Sequence, residues 1–354
     1  MKALQLVHIG ELAEVELPVP APGVGELQIK TAAATICTSD LNDIARNPFG
    51  IKLPRVLGHE GAGVVAAIGS GVSGFAVGDR VAAHPVIPCG QCESCRRGLG
   101  HLCDHMGHLG LDRDGTFAEH FCLPASRARL IPEGVDGAVA ALVEPVSVCL
   151  EAVRRARVSA GETVLVLGDG PFGIMISRLA LLAGPARLIL VGRHDFRLRQ
   201  VPEAIRINER QSMDAARAVL DASGGSPSGP RGGSSGSQRG GVDAAVLAAG
   251  SPAGVALCLR CLRPRGRLVI FSGLEAPAPV DLFRLHVKEL EILGACNDEG
   301  YLDEAVGLLA DPRLALDTLI THRLPFAEWR RAFALASGGK DEALKVAMTF
   351  GEAA

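Results

Sequence analysis

The segment Thr163-Val164-Leu165-Val166-Leu167-Gly168-Asp169-Gly170-Pro171-Phe172-Gly173 decides much of the fold. Its first five residues predict a buried strand, and the glycine-rich turn after them opens an apolar helix. The first glycine permits a tight turn, the second lets a pyrophosphate approach the backbone, and the third allows close packing of helix on strand. A bare glycine turn is the alternative. We predict a dinucleotide site whose cofactor-binding residues are Gly168, Gly170, Pro171, Phe172 and Gly173.

Around this segment, apolar runs alternate with helical segments through the second half of the chain. The runs 163–167, 187–191, 243–247 and 267–271 have the pattern of parallel strands covered by helices. Residues 1–145 instead contain short β-like runs broken by Gly and Pro, which predicts an all-β module. Between 222 and 241, fourteen of twenty residues are Gly or Ser, and we predict a flexible loop inside the α/β domain.

Composition limits the function classes. At 354 residues the chain is long enough for two domains, each with its own core. A net charge of −3 gives no electrostatic reason to expect nucleic acid or an anionic membrane surface as a partner. The amino terminus has no signal-peptide pattern, and no run of 18 apolar residues occurs. We therefore expect a cytoplasmic protein with a small-molecule substrate.

Four cysteines, Cys89, Cys92, Cys95 and Cys103, follow the spacing C-x2-C-x2-C-x7-C in a loop-like stretch. Thiolates this closely spaced can surround one ion, and four sulfurs form a closed structural zinc site. Disulfides or scattered buried thiols are the alternatives. A reducing compartment disfavours disulfides, and the regular spacing disfavours scattered thiols.

A second set of metal-ligating residue types lies upstream. Cys37-Thr38-Ser39-Asp40 precedes Gly58-His59-Glu60, and a thiolate, an imidazole and a carboxylate can bind zinc while leaving one position open. The pattern continues as Gly-His-Glu-x2-Gly-x5-Gly-x2-Val to Val72, followed by the four cysteines, Glu144-Pro145 and the glycine fingerprint. In this combination and order the chain resembles the zinc-dependent medium-chain alcohol dehydrogenases, and most closely their polyol and threonine dehydrogenase branch. The similarity extends from residue 1 to about 350.

The resemblance implies a fold and a ligand set. The fold is α/β, with a GroES-like β-rich catalytic domain (residues 1–146 with 297–354) and a doubly wound parallel-sheet Rossmann domain (residues 147–296). Cys37 and His59 would bind a catalytic zinc, with Glu144 in the third protein position. Glu60 would either ligate the zinc or exchange with water, and which glutamate is bound at rest stays open. Asp40 would orient the imidazole of His59. Glu144 could alternatively be a simple carboxylate at a helix entry.

The implied reaction is hydride transfer between a nicotinamide cofactor and a secondary alcohol, polyol or ketone, with two zinc ions in each subunit of a homo-oligomer, a dimer or a tetramer. Ser39 is placed to pass the proton outward, although a helix cap is compatible with the same position. Asn42 stands where many relatives have a relay histidine, and an amide does not titrate near neutral pH. One rival class is a non-catalytic dinucleotide sensor, but such a protein is expected to lose the zinc ligands. A zinc-free quinone or enoyl reductase of the same fold would lack both cysteine sites.

The sequence also predicts a preference for NADP(H) over NAD(H). NAD-specific domains place an acidic residue about 20 positions after the glycines, and here Gly192-Arg193 occupies that region. We expect Gly192 to leave room for the 2′-phosphate and Arg193 to pair with it. The alternative is a surface arginine, with Asp195 binding the ribose. Lys345 occupies the place of a basic residue near the pyrophosphate in relatives, or is a solvated surface lysine.

Overall fold

The computed structural model describes residues 1–224, 240–274, 276–338 and 342–351. By its internal contacts the chain divides into two compact units, Met1–Ser147 with Asn297–Ala354, and Val148–Cys296. Most of the predicted Gly/Ser loop, residues 225–239, lies outside the described residues. None of the helices in the described ranges has the length and apolarity that a bilayer span requires. The cytoplasmic location stays a prediction.

The described residues form strands in both units. In chain order they are β1 (Lys2–His8), β2 (Glu11–Glu16), β3 (Glu26–Thr35), β4 (Arg55–Val56), β5 (Glu60–Ile68), β6 (Arg80–Ala83), β7 (Val86–Ile87), β8 (Gly107–His108), β9 (His120–Pro124), β10 (Ala128–Leu130), β11 (Thr163–Leu167), β12 (Arg187–Gly192), β13 (Ile205–Asn208), β14 (Val242–Leu247), β15 (Leu262–Ile270), β16 (Glu291–Gly294), β17 (Ile320–Pro325) and β18 (Lys345–Thr349).

The helices of the described residues are short, and the longest has 13 residues. In chain order they are α1 (Thr38–Arg46), α2 (Glu93–Arg96), α3 (Gly137–Ala140), α4 (Val143–Arg155), α5 (Pro171–Leu182), α6 (Asp195–Leu198), α7 (Ala215–Ala222), α8 (Pro252–Cys261), α9 (Leu282–Lys288), α10 (Leu302–Leu308) and α11 (Trp329–Gly338).

The first unit is β-rich. Its largest sheet has the order β10-β6-β5-β3-β18-β17, with β9 also paired to β3. Because β3 pairs antiparallel with β5, Thr35 lies directly opposite Glu60. On its other side β3 pairs with β18 from the carboxyl-terminal part of the chain. Three neighbouring strands, far apart in sequence, therefore meet at one end of this sheet.

The second unit is a six-stranded sheet of order β13-β12-β11-β14-β15-β16, and its strand pairs are all parallel. Counted within the unit this order is 3-2-1-4-5-6, the doubly wound arrangement of dinucleotide-binding domains. Every residue of β11 is buried, which explains its continuous apolar sequence. Helix α6 has only four residues, so the chain returns early to β13.

Candidate functional site

The sheet register of the first unit brings Cys37 and His59 together. Cys37 follows the end of β3, and His59 immediately precedes β5, the antiparallel neighbour of β3. Ligand atoms of Cys37, His59 and Glu60 lie within 4.8 Å of one another, and these three residues are buried. A thiolate, an imidazole and a carboxylate at this separation fit a single zinc ion.

Asp40 orients His59. Its Oδ1 lies 3.2 Å from Nδ1 of His59, and its Oδ2 accepts a hydrogen bond of 2.8 Å from the backbone N–H of Cys37. The other imidazole nitrogen, Nε2, lies 3.4 Å from Oγ of Ser39. Burial alone would lower the pKa of His59, but the neighbouring Asp40 and Cys37 outweigh it and raise that pKa well above its ordinary value. The pocket therefore favours a cation at His59, either a proton or a metal that displaces it.

Glu60 and Lys345 form a buried ion pair in this pocket. The ammonium of Lys345 contacts both carboxylate oxygens of Glu60, at 2.5 Å for Oε2, and the hydroxyl of Thr35 donates to the same Oε2. The side chain of Lys345 is 2% exposed, so the surface-lysine alternative is wrong. Contact of Lys345 with a cofactor stays a prediction.

Glu144 is the second buried glutamate of the site. It lies in the first turn of α4, and its Oε2 has no hydrogen-bond partner among the described residues. Burial raises the pKa of Glu144 to about 7, despite the opposing charge of His59. A buried carboxylate oxygen without a partner is unfavourable unless a ligand occupies it, and a metal beside His59 would satisfy it. Cys37, His59 and Glu60 therefore fit a zinc ion by their separation, whereas Glu144 lies outside that 4.8 Å group and interacts with His59 and Glu60 electrostatically.

The four-cysteine lobe is a separate, local arrangement. Its four thiols are free, with 4.0 Å between the sulfurs of Cys89 and Cys95 and 3.8 Å between those of Cys92 and Cys103. These separations match the edge of a tetrahedron with zinc–sulfur bonds of about 2.3 Å, and they exclude disulfides in this structure. Backbone N–H groups of Gln91 and Cys92 lower the pKa of Cys89 to about 6, whereas burial and the neighbouring thiols raise the pKa of Cys95 to about 12.

In the second unit, the backbone geometry of the fingerprint explains why glycine is needed at these positions. Gly168 has φ of 131°, in the region that favours glycine, and its N–H donates to Val191 at 2.9 Å. A Cβ on Gly173 would lie 1.9 Å from the carbonyl oxygen of Gly168. A Cβ on Gly170 would meet nothing within 4 Å, which leaves open space before Pro171 at the start of α5. Phe172 packs edge-on against Phe271, with 5.4 Å between the ring centroids.

Asp169, inside the fingerprint, was not predicted as a site residue. Its Oδ2 accepts hydrogen bonds of 2.7 Å from the backbone N–H groups of both Arg193 and His194, and lies 3.0 Å from Nδ1 of His194. A Cβ on Gly192 would lie 2.4 Å from the Cβ of Asp169. Asp169 thus fills the space that a Cβ on Gly192 would take, and room for a phosphate at Gly192 stays a prediction.

Two other acidic residues, Glu209 and Asp195, lie near Arg193 in the second unit. The guanidinium of Arg193 is more than half exposed and lies 3.2 Å from Glu209. The carboxylate of Asp195 accepts hydrogen bonds from Asn208 at 2.7 Å and Gln211 at 3.1 Å. Arg193 and Asp195 are both exposed and both have side-chain partners, so the alternative that Asp195 binds the ribose stays open.

Two histidines near the metal pocket also escaped sequence reasoning. The ring of His108 lies 5.7 Å from that of His59, its Nδ1 is 2.6 Å from the carbonyl oxygen of Leu109, and burial lowers its pKa to about 3. His84 is fully buried, with its Nε2 2.6 Å from Asp298. No spacing pattern connects these residues to Cys37 or His59, so only the fold brings them near.

Comparison with known proteins identifies relatives over the whole chain. Residues 23–133 match the family model of the alcohol dehydrogenase GroES-like domain, and residues 171–310 match that of zinc-binding dehydrogenases. The 2-dehydro-3-deoxy-L-galactonate 5-dehydrogenase of Pseudoalteromonas atlantica is 32% identical over 342 residues, which is 96% of each chain. The L-threonine 3-dehydrogenase of Pyrococcus horikoshii is 32% identical over 351 residues, again 96% of each chain. A zinc-binding dehydrogenase from Sinorhizobium meliloti, solved with NADP, superimposes with a TM-score of 0.89 at 29% identity and 98% coverage of both chains.

Proposed function

This chain belongs to the zinc-dependent medium-chain alcohol dehydrogenase family, and from that premise we propose that it oxidises a secondary alcohol of the polyol or hydroxy-acid type. It is an oxidoreductase that transfers hydride between a nicotinamide dinucleotide and an alcohol or the corresponding ketone. The names of two relatives describe oxidation at C5 of a sugar acid and at C3 of threonine, where the carbinol has polar neighbours. The observation that carries the proposal is the buried Cys37, His59 and Glu60 cluster, with ligand atoms within 4.8 Å of one another.

The protein residues have distinct proposed roles. Zinc at this site supplies a Lewis acid that lowers the pKa of an alcohol, and the dinucleotide accepts the hydride. Cys37 and His59, with a glutamate, would hold the metal, and Asp40 fixes the imidazole so that Nε2 faces away from the carboxylate. Ser39, 3.4 Å from that Nε2, would pass the substrate proton outward. Asn42 accepts a hydrogen bond of 3.1 Å from Arg46 and cannot titrate, so proton exit must use water or another group.

We propose two zinc ions per subunit. The four-cysteine lobe offers a closed set of sulfur ligands, whereas the Cys37 site combines unlike ligands and can keep an exchangeable position. The presence of both sites disfavours a zinc-free reductase. The retained Cys37, His59, Glu60 and Glu144 disfavour a non-catalytic sensor.

A panel of substrates tests the proposed reaction. Primary monoalcohols, secondary monoalcohols, vicinal diols, polyols and 3-hydroxy acids should be assayed with both cofactors, and ketones in the reverse direction. We expect kcat/KM for the best polyol or hydroxy acid to exceed that of a primary monoalcohol by about tenfold or more, because unmatched polar groups in a specific site are costly. Equal, weak turnover of the whole panel by zinc-loaded protein would contradict the proposed substrate class.

We also propose a preference for NADP(H). Arg193 is more than half exposed, and its partner Glu209 is an exposed carboxylate that a phosphate can replace. Asp169 holds the backbone of Arg193 and His194 in place, and its carboxylate by itself does not favour a phosphate. The NADP bound to the Sinorhizobium meliloti relative is consistent with the preference.

Cofactor binding to variants tests this preference. Arg193→Ala should weaken NADPH binding by about tenfold or more and leave NADH binding nearly unchanged, because only the 2′-phosphate is lost as a partner. Glu209→Gln should strengthen NADPH binding, since it removes the competing carboxylate. Equal affinity of the unaltered protein for NADH and NADPH, insensitive to Arg193→Ala, would overturn the preference.

Finally, we propose a homo-oligomer formed through the second unit. Strand β16 is the edge of the parallel sheet, and Leu282, Phe283 and Val287 on α9 are more than half exposed. Exposed apolar residues beside a sheet edge favour pairing of two copies. Sedimentation should give a dimer or tetramer that Phe283→Glu weakens, whereas Met213→Glu, at another exposed apolar residue, should have no effect.

A further inference from the structure

The Glu60–Lys345 pair is built by the sheet of the first unit. Thr35 ends β3, Glu60 begins β5 opposite it, and Lys345 begins β18 on the other side of β3. The two charged residues are 285 positions apart, and their side chains are 0% and 2% exposed. Backbone pairing in the sheet therefore fixes the ammonium beside the carboxylate.

The two glutamates of the metal pocket differ in how their oxygens are used. Both oxygens of Glu60 contact the ammonium of Lys345, and Oε2 also accepts from Thr35. Oε2 of Glu144 has no partner among the described residues, although it is buried. To bind Glu60, a metal must displace contacts from Lys345 and Thr35. To bind Oε2 of Glu144, it displaces no contact among the described residues. By separation, Glu60 is the glutamate grouped with Cys37 and His59, but by hydrogen bonding Glu144 is the one with an oxygen available to a metal.

Glu60 is nevertheless close enough to reach the metal. One of its oxygens lies within 4.8 Å of the ligand atoms of Cys37 and His59. If Lys345 lost its charge, Glu60 would be a buried carboxylate with one hydroxyl donor left, and a neighbouring divalent cation would be its best remaining partner. A metal can therefore bind Glu60 only by displacing its carboxylate from the ammonium of Lys345.

We propose that Lys345 is a positioning residue that holds Glu60 back from the catalytic zinc, so that Glu144 is the resting ligand and the remaining position stays available to substrate. This inference rests on the proposed function, and it gives Lys345 a role other than contact with the cofactor. Its ammonium also interacts electrostatically with Cys37 and Glu144, but the direct contacts that carry the inference are those with the two oxygens of Glu60.

Cobalt substitution tests the inference without relying on turnover. The Co²⁺-loaded Lys345→Met protein should show a changed visible spectrum, because Glu60 joins the metal, and should lose Co²⁺ to a chelator about tenfold more slowly. The double variant Lys345→Met/Glu60→Gln should regain the spectrum and chelation rate of the unaltered protein. Lys30→Met, at an exposed residue of β3, is the matched control and should change neither property. An unchanged spectrum and chelation rate in Lys345→Met would overturn the inference.

If Lys345→Met alone does not fold, the double variant still tests the inference. It should fold, because with both charged groups removed no unpaired charge is left in the interior. Its spectrum should match that of the unaltered protein, whereas Glu144→Gln should alter the spectrum. A double variant that shows the loss of a ligand would mean that Glu60 binds the metal at rest. Failure of the proposed function would appear instead as a substrate panel without turnover, with these spectra unaffected.

Discussion

The two candidate metal sites are built in opposite ways. The four-cysteine lobe takes its ligands from Cys89 to Cys103, and their sulfurs accept hydrogen bonds from nearby backbone N–H groups. The pocket around His59 collects groups from β3, β5, α4 and β18, all of them buried. In the lobe, the metal is expected to organise the chain. In the pocket, the sheet organises the ligands before any metal arrives, and buried charges hold them at fixed positions.

The largest expected effect comes from one cysteine substitution in each site. Cys37→Ser should lower turnover by about a thousandfold or more, because about 4 kcal/mol of transition-state stabilisation would be lost with the catalytic metal. The variant should keep its fold and one zinc, measured by circular dichroism and atomic emission. Loss of both metals in Cys37→Ser would show that the two sites are not independent.

The matched substitution in the lobe should affect stability more than chemistry. Cys95→Ser removes one of four ligands, so we expect the melting temperature to fall by about 5 °C or more. Turnover at low temperature should fall far less than in Cys37→Ser. If Cys95→Ser abolished turnover while melting normally, the lobe would belong to the catalytic machinery, and the contrast between the sites would disappear.

Asp43 sharpens the comparison, because it shows the energetic cost of buried charge near the pocket. It is a buried residue of α1 whose Oδ1 has no partner among the described residues, and burial, followed by the charge of Asp40, raises its pKa to about 6. The folded protein therefore holds a proton between pH 4 and 6 that the unfolded chain releases, and stability falls as pH rises through that range.

Asp43→Asn should remove this loss of stability at rising pH. Above pH 6 the free energy of unfolding of this variant should exceed that of the unaltered protein, and the difference should shrink toward pH 4. Asp317→Asn, at an exposed aspartate, is the control and should give a difference that does not vary with pH in this way. A constant effect of Asp43→Asn from pH 4 to 8 would refute the assigned cause.

The smallest effect is expected far from both sites. Residues 225–239 lie outside the described residues, but the hydroxyl of Ser223 accepts a hydrogen bond of 2.9 Å from the N–H of Gly241. Because the two ends are this close, replacing 224–239 with a short Gly linker should change melting temperature and turnover only slightly. A large loss of turnover, with unchanged melting, would show that the segment contacts substrate or a second subunit.

The contrast also explains what the sequence could predict. The lobe is visible as a spacing of four cysteines, and the strand–turn–helix around Gly168 as a local pattern, because their parts are adjacent in the chain. The ligand roles of Cys37, His59 and the glutamates stay predictions that the buried geometry supports. Lys345, Asp169 and His108 owe their surroundings to strand pairing and side-chain packing, which no local spacing encodes. Asp169 in the space above Gly192 is an example, because the two residues lie 23 positions apart.

Stepwise removal and return of zinc tests the central claim most directly. Protein dialysed against a chelator should lose the zinc of the open Cys37 site before that of the closed lobe, with zinc content and turnover of the best substrate measured on the same samples. We predict that turnover falls to background as the first equivalent leaves, while fold and cofactor binding persist. Turnover should return when one equivalent is added back. Undiminished turnover after that equivalent has left would contradict catalysis at the Cys37 and His59 site.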